Sequence, residues 1–290
     1  MSRFNRDQVL VWILRVLAGL AGIVTLLVAV FLVLESIPAL RNVGLTGFFV
    51  GDGWAPREFA ADGAFNLTPM IVGTLIVTFG AVALATPFGI GAAIFCHYYA
   101  PKPIASAYRR IIELLAGIPS VVYGFWGLVV LVPIINGIHP PGQSVLAAVL
   151  ILALMILPTV ALVTDATLAN VPQQLLTGAA SLGLSRWATI RGVVLPSAKS
   201  GLFTGIILET GRAIGETLAV LMVCGNIVKI PGSLFEPVRT LTTNIALEMS
   251  YALGDHKSAL FVTGLLLLGM IVVLTVVAEI ISKEHVYDPS

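Results

Sequence analysis

Three ionisable residues, Glu209, Arg212 and Glu216, lie near the middle of an apolar stretch, Gly201 to Val228, that is long enough to cross a bilayer. Unpaired at the centre of a membrane helix, each would oppose insertion by about 2.5 to 3.5 kcal/mol, and the three together by roughly 8 to 10 kcal/mol, so none of them can face lipid. Spacings of three and four put all three on one stripe of a helix, where Arg212 reaches Glu209 one turn below and Glu216 one turn above. The guanidinium carries the chemistry: its planar fork of donors matches phosphate or carboxylate bidentately and stays ionised at physiological pH. Gly201, Gly205, Gly211 and Gly215 let a neighbouring segment approach closely, which holds the charges at a packed interface. Two readings stand side by side. The seam is either a salt-bridge clip between helices or an anion-handling site on a path through the membrane.

The rest of the chain must supply that membrane setting. Its 290 residues are 58% apolar and 11% charged, with mean hydropathy +1.00, against about 25% charged in soluble domains; this is an integral membrane protein. The net charge of +1 is made of dispersed basic residues, with no run longer than Arg109-Arg110, so nothing points to nucleic acid. Cys96 and Cys224 lie in apolar runs, and His97, His139, His256 and His285 stand far apart, a pattern that indicates neither a metal, a disulfide nor any other cofactor.

Six apolar runs organise the chain as an all-α membrane protein. The first, Val9 to Leu34 behind Arg3 and Arg6, is too long for a signal segment and reads as a retained anchor helix. A polar loop over 36–67 follows, with turns at Gly51-Asp52-Gly53-Trp54-Ala55-Pro56. The second run, Thr68 to about Tyr99, opens on the helix-start pair Thr68-Pro69 and carries Pro87, Gly89 and Gly91, which should bend it. After a basic turn over 100–110, the third run, Ile111 to Ile135, contains Gly117-Ile118-Pro119 well inside it, which predicts a broken helix. Such a break is tolerated in hydrocarbon only where protein or a cavity satisfies the freed backbone, so Gly117 and Pro119 lie against the path; a kinked packing helix is the alternative.

The fourth run spans Val145 to about Val163, a polar interruption covers 164–200, the charged stretch is the fifth run, and the sixth runs from Ala259 to Ile281. The resulting organisation is an anchor helix with an extracytoplasmic loop over 1–67, a five-helix core over 68–282 and a short tail over 283–290. Arg3, Arg6, Lys102, Arg109, Arg110, Arg186, Arg191, Lys199 and Lys283 fall on one side of this arrangement and only Arg41, Arg57, Lys229, Arg239 and Lys257 on the other. The positive-inside rule therefore makes both termini cytoplasmic.

Within the central loop, Thr177-Gly178-Ala179, then Gly183, then Val193-Val194-Leu195-Pro196 resembles the loop by which permease subunits of ATP-binding-cassette importers dock onto their ATPases. The family pattern is EAA, three residues, Gly, nine residues, an aliphatic, any residue and Leu-Pro. This chain departs from it in having Thr177 for the usual Glu and Gly178 for the first Ala. Gly183 suits a tight turn between two short helices, and Pro196 closes the second as the chain re-enters the membrane, giving a rigid knob that transmits a partner's motion. The stretches ELLAGIPSVVYGFWG and GRAIGETLAVLMVCGN are similar to signatures of phosphate-specific importer permeases, the second more of the PstC type than of its PstA partner.

This resemblance covers about residues 68–226. It implies a type I importer permease with six transmembrane helices in the bacterial cytoplasmic membrane, with Thr177, Gly178, Ala179, Gly183, Val193, Leu195 and Pro196 on the ATPase and Arg212 and Glu216 on the phosphate path; Glu209 is not part of that carried-over pair. It also implies a homologous PstA-type permease, two ATPase subunits and an extracytoplasmic phosphate-binding protein as partners. The chain has no G-x-x-x-x-G-K-[ST] loop and no Gly-Lys pair, so it is expected to be a transport subunit and not an enzyme, with ATP hydrolysed by another chain. The alternatives are a permease for sulfate, molybdate or phosphonate, a proton-coupled secondary carrier, and a membrane scaffold.

Overall fold

The structure, a computed structural model, describes residues 3–51, 53–56 and 64–283; the tail over 284–290 lies outside them. Helix α1 (Arg3–Asn42) is apolar on all sides and runs on through Pro38, past the end expected from its apolar run. Beside that proline a hydroxyl from another helix bridges two backbone groups of α1: Ser258 accepts from Ala39 N at 3.0 Å and donates to the Glu35 carbonyl at 2.5 Å. A helical turn α2 (Gly44–Gly47) and a two-stranded hairpin, β1 (Trp54–Ala55) against β2 (Ala64–Phe65), fill the loop that follows. Helix α3 (Thr68–Ile94) starts as Thr68-Pro69 predicts, with the Thr68 N–H donating to Asn66 Oδ1, and ends in a π-helical turn, Phe95–Tyr99.

The predicted break in the third run is present. Amphipathic α4 (Lys102–Ala116) stops at Gly117, and a new span starts as α5 (Ser120–Trp126), a π turn Gly127–Leu131 and α6 (Val132–Ile138). Next come α7 (Val145–Ala169), α8 (Gln173–Ser181), α9 (Arg186–Thr189), a π turn Ile190–Val194 and α10 (Leu195–Ile214). Short helices α11 (Leu218–Val223) and α12 (Leu241–Glu248) then lead to α13 (Gly254–Lys283). Each π turn ends two residues before a proline, Pro101, Pro133 or Pro196. A proline ring clashes with the carbonyl four residues back, and a widened turn relieves that clash; the helical course runs on through Pro133 and Pro196, whereas at Pro101 it stops, with Ala100 extended and α4 starting anew.

Pro196 consequently does not close a helix, as expected from sequence: it lies in the first turn of α10, on a helical course that begins at Arg186. The larger correction concerns the charged stretch. Gly201 to Val228 is not one helix; α10 ends at Ile214, Gly215 caps it, and Glu216 stands beyond its end.

Among the described residues five helical stretches are long and apolar enough to cross a membrane: Gln8–Asn42, Thr68–Tyr99, Ser120–Ile138, Val145–Ala169 and Gly254–Val277. The core forms between α3 and α7, where Val77, Ala81 and Ala85 meet Ala148, Ile151, Leu152 and Met155. Helix α1 lies outside this core, packed along α13 through the Phe31 and Phe261 rings (centroids 5.5 Å apart), with large apolar side chains from Val9 to Leu34 exposed.

Candidate functional site

Both broken helices come together. A Cβ on Gly124 of α5 would lie 2.7 Å from the Ala219 Cα of α11, and one on Gly127 would lie 2.6 Å from Ile151 and 3.0 Å from Val223. Glycine at 124 brings α5 onto the α11 backbone and glycine at 127 makes room for the Ile151 and Val223 side chains, so the span that follows the break at 117–119 packs along the one that follows the break at 215–217. The freed backbone is satisfied from within. Tyr123 donates its hydroxyl to the Leu115 carbonyl at 2.9 Å across the first break. Gly117 caps α4 and Pro119 sets the start of α5.

Across the second break the chain is pinned twice. The Glu216 carboxylate accepts from the Ala219 N–H at 3.1 Å, covering an open amide at the start of α11, and the Glu216 carbonyl accepts from Thr242 of α12 at 2.9 Å. The expected Arg212–Glu216 pair is therefore not formed: the helix that would have stacked them one turn apart has already ended. Arg212 instead has Glu209 one turn below it, with Nη1 4.0 Å from Oε2. That distance is ion-pair contact without a hydrogen bond. The Arg212 side chain is 44% exposed and Glu209 only 12%, so the guanidinium stands open at the junction of the two breaks while its neighbour is held inside.

What holds Glu209 is a ladder in steps of four. A Cβ on Gly201 would approach Thr167 Cγ2 to 2.5 Å, one on Gly205 would overlap Val163, and the next position, Glu209, receives a hydrogen bond of 2.7 Å from the Thr159 hydroxyl. Two glycines bring α10 and α7 so close that the third rung becomes a hydrogen bond. Thr159 was missed from sequence because a single hydroxyl in the run ILPTVALV carries no signal until its partner is known.

At the other end of α10 the chain folds into the predicted knob. Helix α8 ends in a Schellman turn: Leu184 N donates to Ala179 O (3.1 Å), Gly183 N donates to Ala180 O (3.0 Å), and Gly183 takes φ +69°. No atom lies within 4 Å of a Cβ built on Gly183, so backbone conformation alone calls for glycine there. Ser185 then caps α9 by accepting from Ala188 N. Thr177, exposed, turns its hydroxyl back onto the Gln173 and Gln174 carbonyls; Gly178 is open, Ala179 buried, Val193 and Leu195 half-buried and Pro196 exposed. Leu175, Leu182, Leu184 and Trp187 give the knob an exposed apolar surface, Leu182 at 80%.

A second charge cluster, absent from the sequence reading, ties the hairpin to the start of α13. Glu248 of α12 accepts from Arg239 (2.5 Å) and from Trp54 Nε1 (2.7 Å), and its Oε2 lies 2.9 Å from His256 Nε2; Arg239 also donates to the Asn226 carbonyl and Asn244 Oδ1. Trp54, Glu248 and His256 are buried. In the loop between α11 and α12, Glu236 is held below its ordinary carboxylate range, first by the Gly232 N–H and then by Lys229 at 3.0 Å.

A polytopic helical membrane protein with two broken helices back to back, an open guanidinium between them and an apolar-tipped helical knob has the build of a transport component. The model of the family described as binding-protein-dependent transport system inner membrane component matches residues 85–284, and the chain belongs to that family. It is 38% identical over 257 residues to the probable ABC transporter permease protein YqgH of Bacillus subtilis (strain 168), covering 83% of each protein. It is also 38% identical over 264 residues to the phosphate transport system permease protein PstC of Mesorhizobium japonicum, covering 83% of this chain and 79% of that one. In fold it is similar to a chain of a bacterial alginate ABC transporter crystallised with an alginate pentasaccharide-bound periplasmic protein (TM-score 0.66, 16% identity, 98% of each chain). It is likewise similar to a chain of the MetNI methionine ABC transporter in an inward-facing form (TM-score 0.62, 17% identity, 75% of this chain and 95% of that one).

Proposed function

We propose that this chain is a permease subunit of an ATP-driven inorganic phosphate importer, forming the path together with a homologous permease. Family membership and relatives named for phosphate transport support the class and the substrate. The observation that carries the site is Arg212, whose guanidinium is open where the two broken helices meet, while Glu216 is engaged on an α11 amide and Glu209 on Thr159. Phosphate carries one to two negative charges near neutral pH and must shed water to cross. A guanidinium stands in for the lost hydration, and nearby carboxylates keep the hold weak enough for release.

The knob around Gly183 docks on an ATPase subunit, with two such subunits per complex, and phosphate arrives from an extracytoplasmic binding protein. Helices α10 and α11 serve as the fifth of six spans, in a permease with both termini cytoplasmic. Residues 1–67 act as anchor and outer loop, 68–282 as the permease core, and 283–290 as a cytoplasmic tail. Reconstitution of the chain with its partner permease, ATPases and binding protein in proteoliposomes tests this reading. ATP-dependent uptake of labelled phosphate that excess sulfate does not suppress is the expected result; uptake of sulfate in preference to phosphate, or uptake that needs a proton gradient and no ATP, would overturn it.

A further inference from the structure

The Glu209 oxygen that faces Arg212 is already held. Oε2 lies 2.7 Å from Thr159 Oγ1 and 4.0 Å from Arg212 Nη1, so hydroxyl and guanidinium approach the same atom and the hydroxyl is the nearer. Thr159 has a single hydrogen with two acceptors in reach, Glu209 Oε2 and the Ile156 carbonyl at 2.8 Å. It can hold the carboxylate or, by rotating onto its own helix, let it go. The Gly201–Thr167 and Gly205–Val163 contacts fix α10 against α7, so Thr159 and Glu209 cannot drift apart without moving the helices.

From this geometry we infer that Thr159 is a positioning residue for anion passage: its hydroxyl retains the Glu209 carboxylate on α7, which leaves the donors of Arg212 free for the anion. The inference rests on the reading of Arg212 as the anion's ligand. Without the hydroxyl, Glu209 needs to close only about one ångström to hydrogen-bond the guanidinium and compete with phosphate for it. The carboxylate that sets the strength of anion binding is on this account Glu209, the residue one turn below Arg212, and not Glu216, whose carboxylate is engaged on α11.

The test is the phosphate dependence of ATP-driven uptake by the whole reconstituted complex, with assembly followed by co-purification, for Thr159→Val, Thr159→Ser, Glu209→Gln, Thr159→Val/Glu209→Gln and Arg212→Gln. A hydrogen bond to a charged group is strong enough that its loss should raise the KM of Thr159→Val about tenfold, with maximal rate and assembly kept. Thr159→Ser, which restores the hydroxyl, should stay within about twofold of the parent, and the double variant should return to the KM of Glu209→Gln. An unchanged KM in Thr159→Val, a serine variant as impaired as the valine one, or a double variant no better than Thr159→Val would overturn the inference. If Thr159→Val does not assemble, Glu209→Gln decides: removing the competitor should leave KM equal or lower, and a raised KM contradicts the role given to Thr159. Uptake that survives in Arg212→Gln removes the underlying reading and this inference with it, whereas loss there beside a normal KM in Thr159→Val removes only the inference.

Discussion

Two clusters of charge occupy this molecule, and they are built in opposite ways. Around Glu248 the charges are taken: a guanidinium, an indole N–H and an imidazole converge on one carboxylate within 2.5 to 2.9 Å, and the Trp54, Glu248 and His256 members are buried. Around Arg212 the carboxylates are taken by other partners and the guanidinium is not, with 4.0 Å to its only ion-pair partner among the described residues and 44% of its side chain exposed. A closed cluster fixes geometry, because removing Arg239 or Glu248 leaves the other's charge without its partner. An open one retains donors that a passing ligand can use. The sequence places an Arg and a Glu in each; only the structure separates the two kinds.

The largest effect should come from breaking the closed cluster. Glu248→Ala leaves Arg239 without its carboxylate and frees the hairpin at Trp54, and should destabilise the protein by about 3 to 5 kcal/mol, seen as a lower unfolding temperature in detergent and poor recovery of the assembled complex. Full stability in that variant would mean the cluster is not what ties the hairpin to α13. A middle-sized effect belongs to the knob, which contains no closed charge cluster and depends on a backbone turn. Gly183→Val must adopt φ near +69° with a β-branched side chain at about 1 to 2 kcal/mol, whereas Asn tolerates that region. ATPase co-purification and ATP-coupled uptake should fall in Gly183→Val and largely persist in Gly183→Asn. Equal behaviour of the two variants would remove the turn from the coupling argument.

The smallest effect is that of Glu236, an exposed ion pair where solvent screens most of the interaction. Its carboxyl is depressed below the ordinary 4.5, so its contribution to loop order is complete above that pH and is lost as pH falls through the depressed folded value. Hydrogen exchange of the loop from about pH 6 to about pH 3 should show protection falling at the acid end, once corrected for intrinsic exchange. Glu236→Gln should lack this step, and protection that rises on acidification would contradict the sign.

Elements with a local cause were legible. Thr68-Pro69 does start α3, Gly117-Ile118-Pro119 does end one helix before the next begins, and Gly183 does turn the knob, because proline and glycine act on the backbone where they stand. The seam was read half correctly. Periodicity puts Glu209 and Arg212 on one stripe, but periodicity presumes a continuous helix, and α10 ends at Ile214, two residues before Glu216. Thr159 and the tie from Trp54 to Glu248 were illegible for another reason. Their partners lie 50 residues away in one case and 194 in the other, so no window of sequence contains both halves of the interaction.

The central claim is that Arg212 handles the anion and does not merely clip helices together. Uptake of labelled phosphate and assembly of the complex, measured in Arg212→Gln, Glu209→Gln and the neutral double variant Arg212→Gln/Glu209→Gln, test it most directly. Arg212→Gln should assemble normally and transport nothing, and neutralising Glu209 as well should not bring transport back, since Gln matches the length but cannot offer a charged fork. Recovery of both stability and phosphate uptake in the neutral double variant would contradict it and leave the pair as a salt-bridge clip.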